Sequence, residues 1–77
     1  MKDIKEKISR LNEREEKKFL ADAVNKYEKF WEEEDKQSLY RLIARLNNIH
    51  RGLSEEGVVI ADLLIRKIEE DVKKIWV

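Results

Sequence analysis

The strongest pattern in this 77-residue chain is an apolar stretch near its C-terminal end, VVIADLLI at residues 58–65. Beyond it, apolar residues recur at every third or fourth position, as they do on one side of an α-helix. That side carries Ala61, Leu64, Ile65, Ile68, Val72 and Ile75. Val59 and Leu63 fall on nearly the opposite side of the same helix. A helix at the edge of a bundle needs only one apolar stripe, so we predict a helix over about residues 55–75 with neighbours on two sides.

A second helix is predicted over about residues 36–51. Its apolar side carries Leu39, Leu42, Ile43, Leu46, Ile49 and Leu53, with His50 at the edge. Asp35 ends an acidic run and suits the N-cap position of this helix. Gly52 suits the C-terminal end because glycine readily takes a positive φ, and Ser54 can then cap the next helix. So short a connection makes the two helices antiparallel neighbours.

The N-terminal part of the chain has helical spacing from residue 3 to about residue 33, with one irregularity. The first apolar stripe consists of Ile4, Ile8 and Leu11. After the polar run NEREEKK, the second stripe consists of Phe19, Leu20, Ala23, Val24, Tyr27, Phe30 and Trp31. On one continuous helix the second stripe is rotated from the first by about 120°. Either the chain breaks near Asn12, which with Glu15 resembles a capping box, or one long helix shows different sides to different partners. The sequence slightly favours the continuous helix, because no Gly or Pro marks a break.

Together these patterns predict an all-α fold in one domain, residues 1–77. We expect three main helices with short connections, the first helix being long and, in the alternative, broken near Asn12. In this arrangement Leu46 and Leu64 lie at the centre of the antiparallel pair. The chain is 44% charged, but its 42% hydrophobic residues stand in periodic order, which favours a packed bundle over a disordered chain. Opposite charges four residues apart, which support helix surfaces, include Asp22–Lys26 and Asp62–Arg66.

Composition argues against several classes of function. The chain has 17 basic and 17 acidic residues, whereas nucleic-acid-binding domains usually carry a basic excess. It has no cysteine and one histidine, so we expect no metal or other cofactor. There is no nucleophile elbow and no phosphate-binding loop, so we expect neither enzymatic activity nor a small-molecule substrate. Without a membrane-length apolar run or a signal-peptide pattern, a cytoplasmic protein with no membrane contact is expected.

A helix-turn-helix DNA-binding regulator is the first alternative function. The second and third predicted helices meet at a turn that contains Gly52, and basic residues near it could contact phosphates. However, the helix that would read the DNA begins with Glu55 and Glu56, followed by apolar residues. Acidic side chains at that end repel the phosphate backbone, so nucleic acid is not the partner we expect.

The unclaimed apolar and aromatic positions favour protein binding. Large aromatic side chains often anchor protein interfaces, and Trp76 lies close to a chain end, where helices usually fray. The residues predicted to form an interface are Ile4, Ile8, Leu11, Trp31, Val59, Leu63 and Trp76. We therefore predict a non-catalytic protein-binding module, such as a small adaptor, inhibitor or regulatory subunit. Its partner is another protein or a second copy in a homodimer, and a purely structural homo-oligomer is the second alternative.

Overall fold

The computed structural model describes the backbone of residues 1–75 and the side chains of residues 1–74. Within these residues the chain forms four α-helices and a short 3-10 turn, with no β-strand. The helices are α1 (Lys2–Ser9), α2 (Arg14–Glu32), α3 (Lys36–Ile49) and α4 (Glu55–Ile75), and the 3-10 turn spans His50–Gly52. The all-α prediction is therefore confirmed, whereas the number of helices is four rather than three. The bounds predicted for α4 agree with the structure.

The additional helix arises because the chain breaks between α1 and α2. The favoured prediction of one continuous helix was wrong, and the alternative of a break near Asn12 is confirmed. The N-cap of α2 is Glu13 rather than Asn12. The Glu13 carboxylate accepts hydrogen bonds from the backbone N–H groups of Glu15, at 3.1 Å, and Glu16, at 2.6 Å. It thereby satisfies two of the N–H groups that the start of a helix leaves without a partner.

The break lets α1 fold back against the rest of the bundle. α1 contacts both α2 and α4, and Lys5 forms a 3.2 Å ion pair with Glu28 on α2. The apolar stripe of the N-terminal segment is buried: Ile4 is 8% exposed, Ile8 4% and Leu11 9%. The prediction that this stripe has no partner within the chain was therefore wrong. In a continuous helix the two apolar stripes would point in different directions. Because the chain breaks, both stripes face the same core.

The turn between α2 and α3 is a Schellman motif closed by a residue other than glycine. Glu34 takes a positive φ of 55°. The Asp35 N–H bonds to the Phe30 carbonyl at 2.9 Å, and the Glu34 N–H bonds to the Trp31 carbonyl at 3.1 Å. Asp35 then caps α3 as predicted, accepting bonds from the backbone N–H and the hydroxyl of Ser38. These hydrogen bonds lower the pKa of the Asp35 carboxyl below its ordinary value.

The connection between α3 and α4 differs from the prediction at one residue. Among the described residues no glycine has a positive φ, so Gly52 does not end α3 in a left-handed conformation. Instead the chain tightens into the 3-10 turn, and Leu53 is extended. Ser54 caps α4 as predicted, because its Oγ accepts a hydrogen bond from the Gly57 N–H at 3.1 Å.

All four helices contribute to a single apolar core. The largest side chains below 2% exposure are Leu20, Leu39, Leu46, Leu64, Ile68 and Val24. Leu46 and Leu64 are both fully buried, as predicted for the centre of the antiparallel pair formed by α3 and α4. No helix in the described part of the chain combines the length and the apolar character that crossing a membrane requires.

Candidate interaction surface

The residues predicted to form an interface do not lie on one surface. Ile4, Ile8 and Leu11 are buried in the core. Val59 is 55% exposed and Leu63 is half-buried, packed against the core from its edge. Trp31 is 36% exposed near the end of α2, and Trp76 lies outside the described residues. Among the described residues of the predicted set, Val59 is thus the most exposed apolar residue.

Val59 borders a groove between α1 and the first turns of α4. The groove has a volume of about 450 Å³. It is lined by Lys7, Arg10, Leu11, Asn12, Glu13, Ser54, Glu56, Val59 and Ile60, and we call it the Val59 groove. Its buried apolar residues are Leu11 and Ile60, which belong to the core. The groove exists because α1 ends at Ser9 and the chain crosses to α2, leaving the start of α4 partly uncovered.

The Val59 groove is lined by charged residues of both signs. The basic residues are Lys7, in the last turn of α1, and Arg10, its C-cap; the acidic residues are Glu13, whose carboxylate caps α2, and Glu56, in the first turn of α4. All four are exposed. None of them forms an ion pair with another described residue. Their charges therefore remain available to a partner that enters the groove.

One edge of the groove is fixed by a buried carboxylate from α2. Glu16 is 7% exposed and points at the N-terminal end of α4. Its Oε1 accepts a hydrogen bond from the Ser54 hydroxyl at 2.6 Å, and its Oε2 accepts one from the Ser54 N–H at 3.2 Å. A negative charge at this end of a helix is also favoured by the helix dipole. Glu16 thus joins α2 to the start of α4 and fixes Ser54, which lines the groove.

The Glu16 carboxylate fits only because residue 57 is glycine. A Cβ atom at position 57 would lie 1.6 Å from Glu16 Oε1 and 2.6 Å from its carboxyl carbon. The sequence shows Gly57 only as a glycine inside a helix, where glycine is ordinarily unfavourable relative to alanine by about 1 kcal/mol. Neither the role of Gly57 nor that of Glu16 was predicted. The available signal was a glycine in the first turn of the predicted helix, directly after Glu55 and Glu56.

A two-residue mutant cycle tests this interpretation of Gly57. Gly57→Ala alone is expected to destabilise the protein by about 1 kcal/mol, because displacing the carboxylate breaks charge-assisted hydrogen bonds that outweigh the helix propensity of alanine. In a Glu16→Ala background the same change is expected to cost less or to stabilise, because only the Leu53 Cβ atom, 3.2 Å from the new Cβ, then opposes the helix propensity of alanine. The free energy of unfolding in urea measures both effects. If Gly57→Ala is stabilising in both backgrounds, the carboxylate does not set the requirement for glycine.

A second buried polar contact joins α2 to α4 in the core. The Tyr27 hydroxyl donates a hydrogen bond to the Asp71 carboxylate, and Tyr27 and Asp71 are each 4% exposed. Lys67 Nζ lies 3.5 Å from the other Asp71 oxygen. Burial raises the pKa of the Tyr27 phenol, and the hydrogen bond to Asp71 together with its negative charge raises it further. The phenol therefore stays protonated and serves as a hydrogen-bond donor within the bundle.

The single histidine connects the end of α3 to α4. His50 Nε2 lies 2.9 Å from Asp62 Oδ1, and both side chains are partly exposed. The sequence predicted Arg66 as the ion-pair partner of Asp62, whereas the structure places His50 there. The predicted pair of Asp22 and Lys26 is present, with Lys26 Nζ 3.1 Å from Asp22 Oδ2. Within the described residues no three potential metal ligands come together.

A second exposed aromatic residue was missed in the sequence. Tyr40 is 50% exposed on α3, and the Lys36 ammonium lies 5.8 Å from the centre of its ring. The available signal was its position beside Leu39, which turns it away from the apolar side of the helix.

Comparisons with protein-family models, with curated proteins and with solved structures found no match for this chain.

Proposed function

We propose that this chain is a small, cytoplasmic, non-catalytic protein-binding domain, an adaptor, inhibitor or regulatory subunit, that binds its partner through the Val59 groove. The observation that carries the proposal is the 55% exposure of Val59 at the border of a concave surface with apolar residues at its base. An exposed valine is by itself common on protein surfaces. Here it lines the same groove as the buried residues Leu11 and Ile60 and as charged side chains of both signs. A small apolar centre with a polar rim is the usual composition of a protein interface.

The alternative of a DNA-binding regulator has less support. In a helix-turn-helix domain, the N-terminal end of the recognition helix approaches the bases and phosphates. The corresponding end of α4 carries the carboxylates of Glu55 and Glu56 and accommodates the buried carboxylate of Glu16. Three negative charges at that end repel a phosphate backbone. The role of a purely structural oligomer also loses its main argument, because the stripe of α1 is buried within the chain.

Capture from the lysate of the native host, compared between two variants, tests the proposal. Val59→Glu places a charge at the apolar centre of the groove, whereas Ala44→Glu places the same charge on the exposed side of α3. Both positions are exposed, so we expect each variant to remain folded, with a change in stability within about 0.5 kcal/mol. Wild type and Ala44→Glu should retain the same protein, identified by mass spectrometry, and Val59→Glu should lose it.

The same experiment distinguishes the alternatives. A protein that is retained equally by all three forms binds elsewhere, and the proposed role of the Val59 groove is then wrong. Retention on duplex DNA that weakens steeply with added salt would instead support the DNA-binding alternative. Circular dichroism of each variant excludes unfolding as the cause of lost binding.

A further inference from the structure

We draw no further inference here: the strongest candidate, the Val59 groove between α1 and the first turns of α4, is lined by charged side chains of both signs around an exposed valine, and nothing in the structure shows what covers it.

Discussion

Leu64→Ala is expected to lower the free energy of unfolding by about 2–5 kcal/mol, the range for truncating a leucine in a packed core. Leu64 is fully buried, and α4, which carries it, contacts each of the other helices. Truncation removes apolar area from the core and leaves a cavity that four helices cannot easily close. A domain of this size has a total stability of only about 5–10 kcal/mol, so this change alone should bring it close to unfolding.

The adjacent leucine provides a matched control. Leu63 is half-buried at the edge of the core, on the same helix and one residue away. Leu63→Ala has the same chemistry and the same change in helix propensity, and we expect it to cost less than half as much as Leu64→Ala. Urea unfolding followed by circular dichroism measures both. Equal costs at the two positions would contradict the placement of Leu64 in the centre of the bundle.

The parts of the fold that could be predicted are those that depend on local spacing. The apolar period of α3 and α4 gave their approximate extents and the buried positions of Leu46 and Leu64. Asp35 and Ser54 were predictable as N-caps because short polar side chains at those positions can reach a free backbone N–H. The two apolar sides of α4 predicted neighbours on two sides, and α4 does contact α1, α2 and α3. Val59, on the second side, is nevertheless 55% exposed, so that side is not fully covered within the chain.

The chain reversal after α1 could not be predicted from residue preferences. The N-cap there is Glu13, and glutamate is not among the residues that favour this position. The turn after α2 is closed by Glu34 at a positive φ, where glycine or asparagine is usual. In both places the packing of the core determines the backbone and outweighs the local preference. The only sequence evidence for the break between α1 and α2 was the different orientation of the apolar stripes before and after it. The two stripes can share one core only if the helix breaks.

The candidate site was predicted only in part. Val59 was identified from its position on the second side of α4 and is exposed, whereas Ile4, Ile8 and Leu11 of the same predicted interface are buried. The groove itself depends on where α1 ends and how Glu16 reaches Ser54, which is 38 residues away in sequence. No local pattern reports a contact over that distance. The partner of Tyr27 is more distant still, at 44 residues.

The contact between Tyr27 and Asp71 is expected to contribute substantially to stability, because it joins two side chains that are each only 4% exposed. Tyr27→Phe leaves the Asp71 carboxylate buried with only the 3.5 Å contact to Lys67. An unsatisfied buried charge is costly, so we expect a loss of about 1–3 kcal/mol in the free energy of unfolding. Tyr40→Phe removes the same hydroxyl from a side chain that is 50% exposed. It should change the stability by less than about 0.5 kcal/mol.

A double-mutant cycle separates the hydrogen bond from the burial of its two partners. Asp71→Ala should also destabilise the protein, because it leaves the Tyr27 hydroxyl without its acceptor. Once the carboxylate is absent, Tyr27→Phe removes nothing further from the contact. The double variant should therefore cost less than the sum of the single variants, by about 0.5–3 kcal/mol. Costs that simply add would show that the two side chains act independently.

The pH dependence of stability provides an independent test of the same contact. The pKa of the Tyr27 phenol is raised in the folded protein, chiefly by burial and further by Asp71. The unfolded chain loses this proton near pH 10, the ordinary value for tyrosine, while the folded chain retains it. The stabilisation linked to this proton is therefore fully present below about pH 10 and is lost as the pH rises above it. Urea unfolding at pH 9 and at pH 11 should show wild type and Tyr40→Phe losing more stability over this interval than Tyr27→Phe does. If all three proteins lose the same amount, ionisation of Tyr27 is not coupled to unfolding, and the buried contact with Asp71 does not hold its proton.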